Sequence, residues 1–210
     1  MIARHFKLWG PLRSGTNYLG RVMELNFKDI QIHHNEGGWK HGPPQHSYYK
    51  ENTLAGLHRL YDGHLLIIKS PLAWAASMYR YSMYSDKYLD PIILAQRWNQ
   101  YARELYTFSW RDDAILIKYE ALLENFDLTM KDIATTFNLP QPEEWKDEPG
   151  KMLRGGDMMK GDATVSKEIQ NKSYYLNREY INDLGKANLT IMRNFIDPYL
   201  ILLLNYHEHF

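Results

Sequence analysis

The chain has 210 residues, 25 basic and 25 acidic side chains, and no cysteine. A formal net charge of zero excludes a general nucleic-acid coat or a polybasic membrane clamp, so any anion site must be local. The missing cysteines exclude disulfides and cysteine-ligated zinc, and the length fits a single domain, residues 1–210.

In chain order, residues 5–10 read as a short buried strand, followed by a loop Pro11–Gly15 and a helix from about Thr16 to Asn26. Leu19, Val22, Met23 and Phe27 carry the helical spacing. Residues 30–35, "IQIHHN", alternate like a second strand, and the Gly/Pro-rich "EGGWKHGPPQHS" after it reads as loop. A helix is expected over 51–61. "HLLIIKS", 64–70, is a continuous apolar run suited to a strand buried on both faces. Pro71 opens the next helix, since proline favours a first helical turn. Leu94, Trp98, Tyr101, Leu105 and Phe108 mark a long amphipathic helix. "AILIKYE", 114–120, is another buried strand, and helices are expected at about 127–138 and 177–204, the second broken at Asp197-Pro198. Strands alternating with helices imply an α/β fold with a mostly parallel central sheet flanked by helices, and ligands beyond the carboxyl ends of its strands. The longest apolar run, "YLILLL", is too short to span a bilayer, and no secretory pattern precedes the first strand. A soluble, cytoplasmic protein is the expectation; oligomeric state is not legible.

The loop after the first strand carries the most chemistry. Gly10 and Gly15 stand at the G-x-x-x-x-G spacing of a nucleotide phosphate loop, but Thr16 replaces the lysine and Asn17 the magnesium-binding Ser/Thr. A glycine-bearing turn into a helix presents backbone N–H groups and the positive end of the dipole to an anion. Arg13 adds a full charge, and Ser14, Thr16 and Asn17 add donors, so a phosphate-like group can be held without metal. An ordinary capped turn is the bland alternative.

"GPLRSGTNYL" resembles the 5′-phosphosulfate loop of sulfotransferases that use 3′-phosphoadenosine 5′-phosphosulfate (PAPS), typically P-K-S-G-T-T-W. Arg13, Asn17 and Tyr18 stand where that family has Lys, Thr and Trp. The resemblance implies a three-layer fold like that of the P-loop nucleotide-binding proteins, with Arg13, Ser14, Gly15, Thr16, Asn17 and Tyr18 around the donor and no metal. "IIKSPLAWAASMYRY", 67–81, resembles the family's 3′-phosphate motif, a strand ending in Arg with Ser eight residues on; here these are Lys69 and Ser77. "ILIKYEALLENFDLTMKDIATTFNLP", 115–140, resembles a later family segment and places Tyr119, with Tyr18, near the adenine. "MLRGGDMMKGDA", 152–163, resembles the R-K-G-x-x-G-D loop that closes on the 3′-phosphate, implying Arg154 and Gly155.

"GWKHGPP", 38–44, resembles the family's K-T-H-L-P segment, which makes His41 the general base, with Lys40 or Arg13 steadying the bridging oxygen. His46, His34 and His33 are the other candidates. His207 and His209 lack a third ligand for a metal. The expected activity is PAPS-dependent sulfuryl transfer to a hydroxyl or amine of a small-molecule or glycan acceptor, releasing 3′-phosphoadenosine 5′-phosphate. The alternatives are a nucleotide kinase of similar fold and a non-catalytic nucleotide-binding protein. The acceptor itself cannot be read, and O- and N-sulfation remain equally open.

Overall fold

The computed structural model describes residues 3–35, 40–42, 61–82, 90–147 and 172–209. The helix expected over 51–61, most of the Gly/Pro-rich loop with His46, and the 152–163 segment with Arg154 and Gly155 lie outside them.

The described strands are β1 (Arg4–Trp9), β2 (Ile30–His33), β3 (Gly63–Ile68) and β4 (Ala114–Lys118). They form one all-parallel sheet in the order β2-β1-β3-β4. Helix α1 (Thr16–Asn26) joins β1 to β2. Helices α2 (Pro71–Ser82) and α3 (Pro91–Phe108) lie between β3 and β4. After β4 come α4 (Tyr119–Glu124), α5 (Phe126–Thr136), α6 (Lys172–Leu176), α7 (Tyr180–Phe195) and α8 (Pro198–Leu203).

Alternation along β1 shows how the layers are filled. Leu8 lies near Gly20 of α1, and the Phe6 ring meets Phe137, just past α5, edge-on at 5.0 Å. Trp9, of opposite parity, packs toward Phe108 of α3 at 6.4 Å between ring centres. Helices therefore cover both faces. The parallel connections run in opposite directions from the centre, β1 to β2 one way and β3 to β4 the other. Right-handed crossovers then put their helices on opposite faces. The carboxyl ends of β1 and β3 flank the point where the strand order reverses, the crevice where open α/β sheets take ligands.

β3 is buried along its whole length, as its unbroken apolar run requires. It ends at Ile68, so Lys69 and Ser70 lie just beyond it. β4 ends at Lys118, and Tyr119 opens α4 where the sequence suggested strand. The last helical stretch is split more than expected. Asp197 caps α8 through its carboxylate and Tyr199 N, with Pro198 behind it. A further break falls at Gly185, whose φ of 70° and ψ of 155° interrupt α7. Among the described residues no helix is long and apolar enough to cross a membrane.

Candidate functional site

Three chain segments far apart in sequence meet at the carboxyl ends of β1 and β3. The first is the loop 10–15. Gly10 fits only because it lacks a side chain: an added Cβ would lie 2.5 Å from the Ile67 carbonyl oxygen. Arg13 has φ 68° and Gly15 φ 100°, both left-handed, so the chain turns sharply into α1. A Cβ on Gly15 would lie 2.3 Å from the Tyr119 ring. With glycine at the N-cap, no side chain caps α1, and its first N–H groups point into the loop. Ser14 is fully buried, and its Oγ has no hydrogen-bond partner among the described residues. A buried hydroxyl left unpaired is costly unless a ligand meets it.

The second segment, residues 40–42, is laced to the first. Gly10 N donates to the Lys40 carbonyl (2.9 Å), and His41 Nδ1–H donates to the Gly10 carbonyl (2.9 Å). Because a carbonyl can only accept, the proton of neutral His41 sits on Nδ1 and Nε2 carries the lone pair. Tyr101 of α3 fixes the segment from the other side, donating its hydroxyl to the His41 carbonyl (2.7 Å). Lys40 Nζ donates to Asn17 Oδ1 (2.6 Å) and to His34 Nδ1 (3.2 Å). Burial lowers the Lys40 pKa. Burial also lowers that of His41 to about 4, helped by the charges of Lys40 and Arg13 and opposed by the Gly10 and Pro11 carbonyls.

Lys69 and Ser77 form the third group. Lys69 is 3% exposed, and its Nζ donates to Ser77 Oγ at 3.3 Å. The spacing of eight puts Ser77 two turns into α2, facing back to the strand end. Lys69 is held in place through its backbone: Trp98 Nε1 donates to its carbonyl (2.9 Å), and Ser70 N donates to the buried Glu120 carboxylate (2.9 Å). Its ammonium lies 4.0 Å from the centre of the Tyr119 ring and 4.2 Å from that of Tyr175. Burial depresses its pKa; Tyr175 and Glu120 oppose this, and Arg13 adds to it. Arg13 thus reaches both His41 and Lys69 electrostatically, which links the groups into one cationic site.

The structure brings together Arg13, Ser14, Gly15, Thr16, Asn17, Lys40, His41, Lys69, Ser77, Tyr18 and Tyr119. Tyr18 and Tyr119 meet edge-on at 6.3 Å. Both rings are buried, at 2% and 6% exposure, so neither presents an open face for stacking a base in this conformation. The Tyr18 hydroxyl donates to Asp147 (2.7 Å), and Asp147 also pairs with Lys172. His33 is turned away, against His5 (2.8 Å between ring nitrogens), whereas His34 touches Lys40.

Two neighbours were not singled out from the sequence. Arg80 lies three residues past Ser77 on the same face of α2, a spacing that was legible. Tyr175 of α6 reaches the site across 98 residues, and nothing local in "KSYYL" signals it. Among the described residues no group of three or more His, Asp or Glu side chains could hold a metal ion. No protein-family model, curated protein or solved structure matches the chain.

Proposed function

We propose that the chain is a sulfotransferase that takes its sulfuryl group from PAPS and passes it to a hydroxyl or amine of a small-molecule or glycan acceptor. The observation that carries this reading is the convergence of loop 10–15, His41 and the Lys69–Ser77 pair on one reversal point of the sheet. Bound PAPS would supply an activated sulfuryl group, with 3′-phosphoadenosine 5′-phosphate as its leaving group. The residues fit such a donor. The Ser14 hydroxyl, unpaired among the described residues, the uncapped start of α1 and Arg13 suit the 5′ anion, and Lys69 with Ser77 suits a second anion.

His41 is the base in this reading. Its Nδ1–H is committed to the Gly10 carbonyl, so Nε2 is the atom that takes the acceptor proton. The Gly10 contact keeps the ring in one tautomer, and Tyr101 holds the backbone behind it. Lys40 and Arg13 lie close enough to lower the histidine pKa, so they also stabilise negative charge developing beside it. Asn17 Oδ1 is engaged by Lys40, so the residue at the usual magnesium-ligand position serves here to aim a cation. That contact favours sulfuryl transfer over a kinase reading.

The test is transfer of label from radiolabelled PAPS to a panel of sugars, phenols and amines. Wild-type protein should label at least one acceptor class. His41→Ala should lose roughly 10²–10⁴ in turnover while still binding 3′-phosphoadenosine 5′-phosphate. Normal turnover in His41→Ala, with loss in a parallel His46→Ala, would transfer the role to His46.

A further inference from the structure

The second anion position, Lys69 with Ser77, is already filled by a side chain. Ser77 Oγ donates to the Ala73 carbonyl (2.8 Å) and lies 3.2 Å from the Tyr175 hydroxyl. Arg80 donates to the same phenolic oxygen at 3.5 Å. The Tyr175 ring covers the Lys69 ammonium and packs edge-on to Tyr119 at 5.1 Å. One oxygen thus sits among a lysine, an arginine and a serine: the two cations are the donors that suit a phosphate oxygen, while Ser77, its proton committed to Ala73, accepts from the phenol. Despite its burial, the Tyr175 phenol is made more acidic than usual, by the Lys69 charge first, with Arg80 adding to it.

We propose that Tyr175 is a plug: its phenolic oxygen holds the place of the donor's 3′-phosphate, and α6 must swing aside before a 3′-phosphorylated nucleotide can bind. The proposal rests on the donor-site reading above and adds to it a closed state and the element that opens it. Three residues assigned to the donor, Lys69, Ser77 and Tyr119, share this one cover. Leaving would uncover the cation, the hydroxyl and part of the Tyr119 ring together, which fits the lack of an open Tyr119 face in the closed form.

The carrier of the plug is built to move. Helix α6 has only five residues, too short to be stable by itself. It is tied at its start by the Lys172–Asp147 ion pair and followed by Arg178 in the left-handed conformation (φ 58°) before α7 begins. Arg80 lies over the Tyr174 ring (4.0 Å) as well as reaching Tyr175, so one cation clamps both tyrosines of α6 and is released when a phosphate competes for it. A nucleotide lacking the 3′-phosphate offers nothing in exchange for those contacts. The plug therefore acts as a specificity device, opening only for a ligand that replaces the phenolic oxygen by a stronger acceptor.

The experiment compares adenosine 3′,5′-bisphosphate with adenosine 5′-phosphate by calorimetry on wild type, Tyr175→Phe and Lys69→Met. Tyr175→Phe keeps the ring but removes the oxygen that Ser77 and Arg80 hold. It should tighten the bisphosphate by about two- to tenfold, the equivalent of one net hydrogen bond, and leave the monophosphate unchanged. Hydrogen exchange gives a second, variant-free reading: the bisphosphate should speed exchange of the 172–176 amides in wild type. A bisphosphate preference that Lys69→Met abolishes but Tyr175→Phe does not strengthen overturns the plug alone. Slower exchange at 172–176 on binding also overturns it. A preference that emerges only in Tyr175→Phe supports the plug. No preference in either protein overturns the donor-site reading and the plug with it.

Discussion

His41 shows how one side chain is prepared by its surroundings. Desolvation and the nearby cations hold its pKa at about 4, so above pH 5 it is neutral with its lone pair on Nε2. If it is the base, the acid limb of kcat/KM, which reports the free enzyme, falls near pH 4 and not near the ordinary histidine value of about 6.5. A limb near 6.5 in rapid-mixing assays would show that another group takes the proton. The same shift bears on stability. A histidine neutral in the fold and protonated in the unfolded chain stabilises the fold above the unfolded pKa, and that contribution is lost as pH falls toward the folded pKa. His64 is a second case. It accepts from Trp9 Nε1 (3.1 Å), and burial, with the Arg111 and Lys7 charges and against Asp113, lowers its pKa to about 4. Each of the two should give unfolding free energy a slope of about 1.4 kcal/mol per pH unit between about 6.5 and 4. Urea melts across that range check it, and His64→Asn should remove one of the two contributions to the slope.

Among the elements, the junction of β1 and α1 sets the site. The turn depends on Gly15, which combines φ of 100° with contact against Tyr119. Gly15→Ala should cost at least about 1–3 kcal/mol from the backbone conformation alone, with the ring clash added. If loop 10–15 holds the 5′ anion as proposed, the substitution should also impair binding of both nucleotides, because that loop is what it distorts. Thermal melts and calorimetry together check this; full stability with normal binding would contradict the geometry. This junction was the most legible part of the sequence: the bounds of α1, Thr16–Asn26, are those its spacing predicts. Where regular pattern gave way to tertiary contact, the sequence was less informative. "AILIKYE" looks like strand throughout, yet the chain turns at Tyr119 so that Glu120 can reach Ser70 N and Tyr206. The Gly185 break has no proline to announce it, and α6 is too short to carry a period.

At the scale of the whole molecule, strand order converts separate motifs into a site. Loop 10–15, residues 40–41 and the Lys69–Ser77 pair converge because β1 and β3 are neighbours whose connections leave in opposite directions. Each motif was visible in the sequence, as was the parallel α/β class. Their meeting was only implied, since strand order depends on pairings between residues far apart. Tyr175 was invisible for the same reason: it meets Ser77 from 98 residues away. The central claim is that this convergence holds a nucleotide bearing phosphates at both the 5′ and 3′ positions. The most direct test is calorimetric titration of wild-type protein with adenosine 3′,5′-bisphosphate in the presence of chelator, beside ATP with magnesium. The account predicts that the bisphosphate binds without metal and more tightly than ATP with magnesium. It further predicts at least about a tenfold loss in Lys69→Met, as expected for a charge-assisted contact. Preferential binding of ATP with magnesium, unaffected by Lys69→Met, would contradict it.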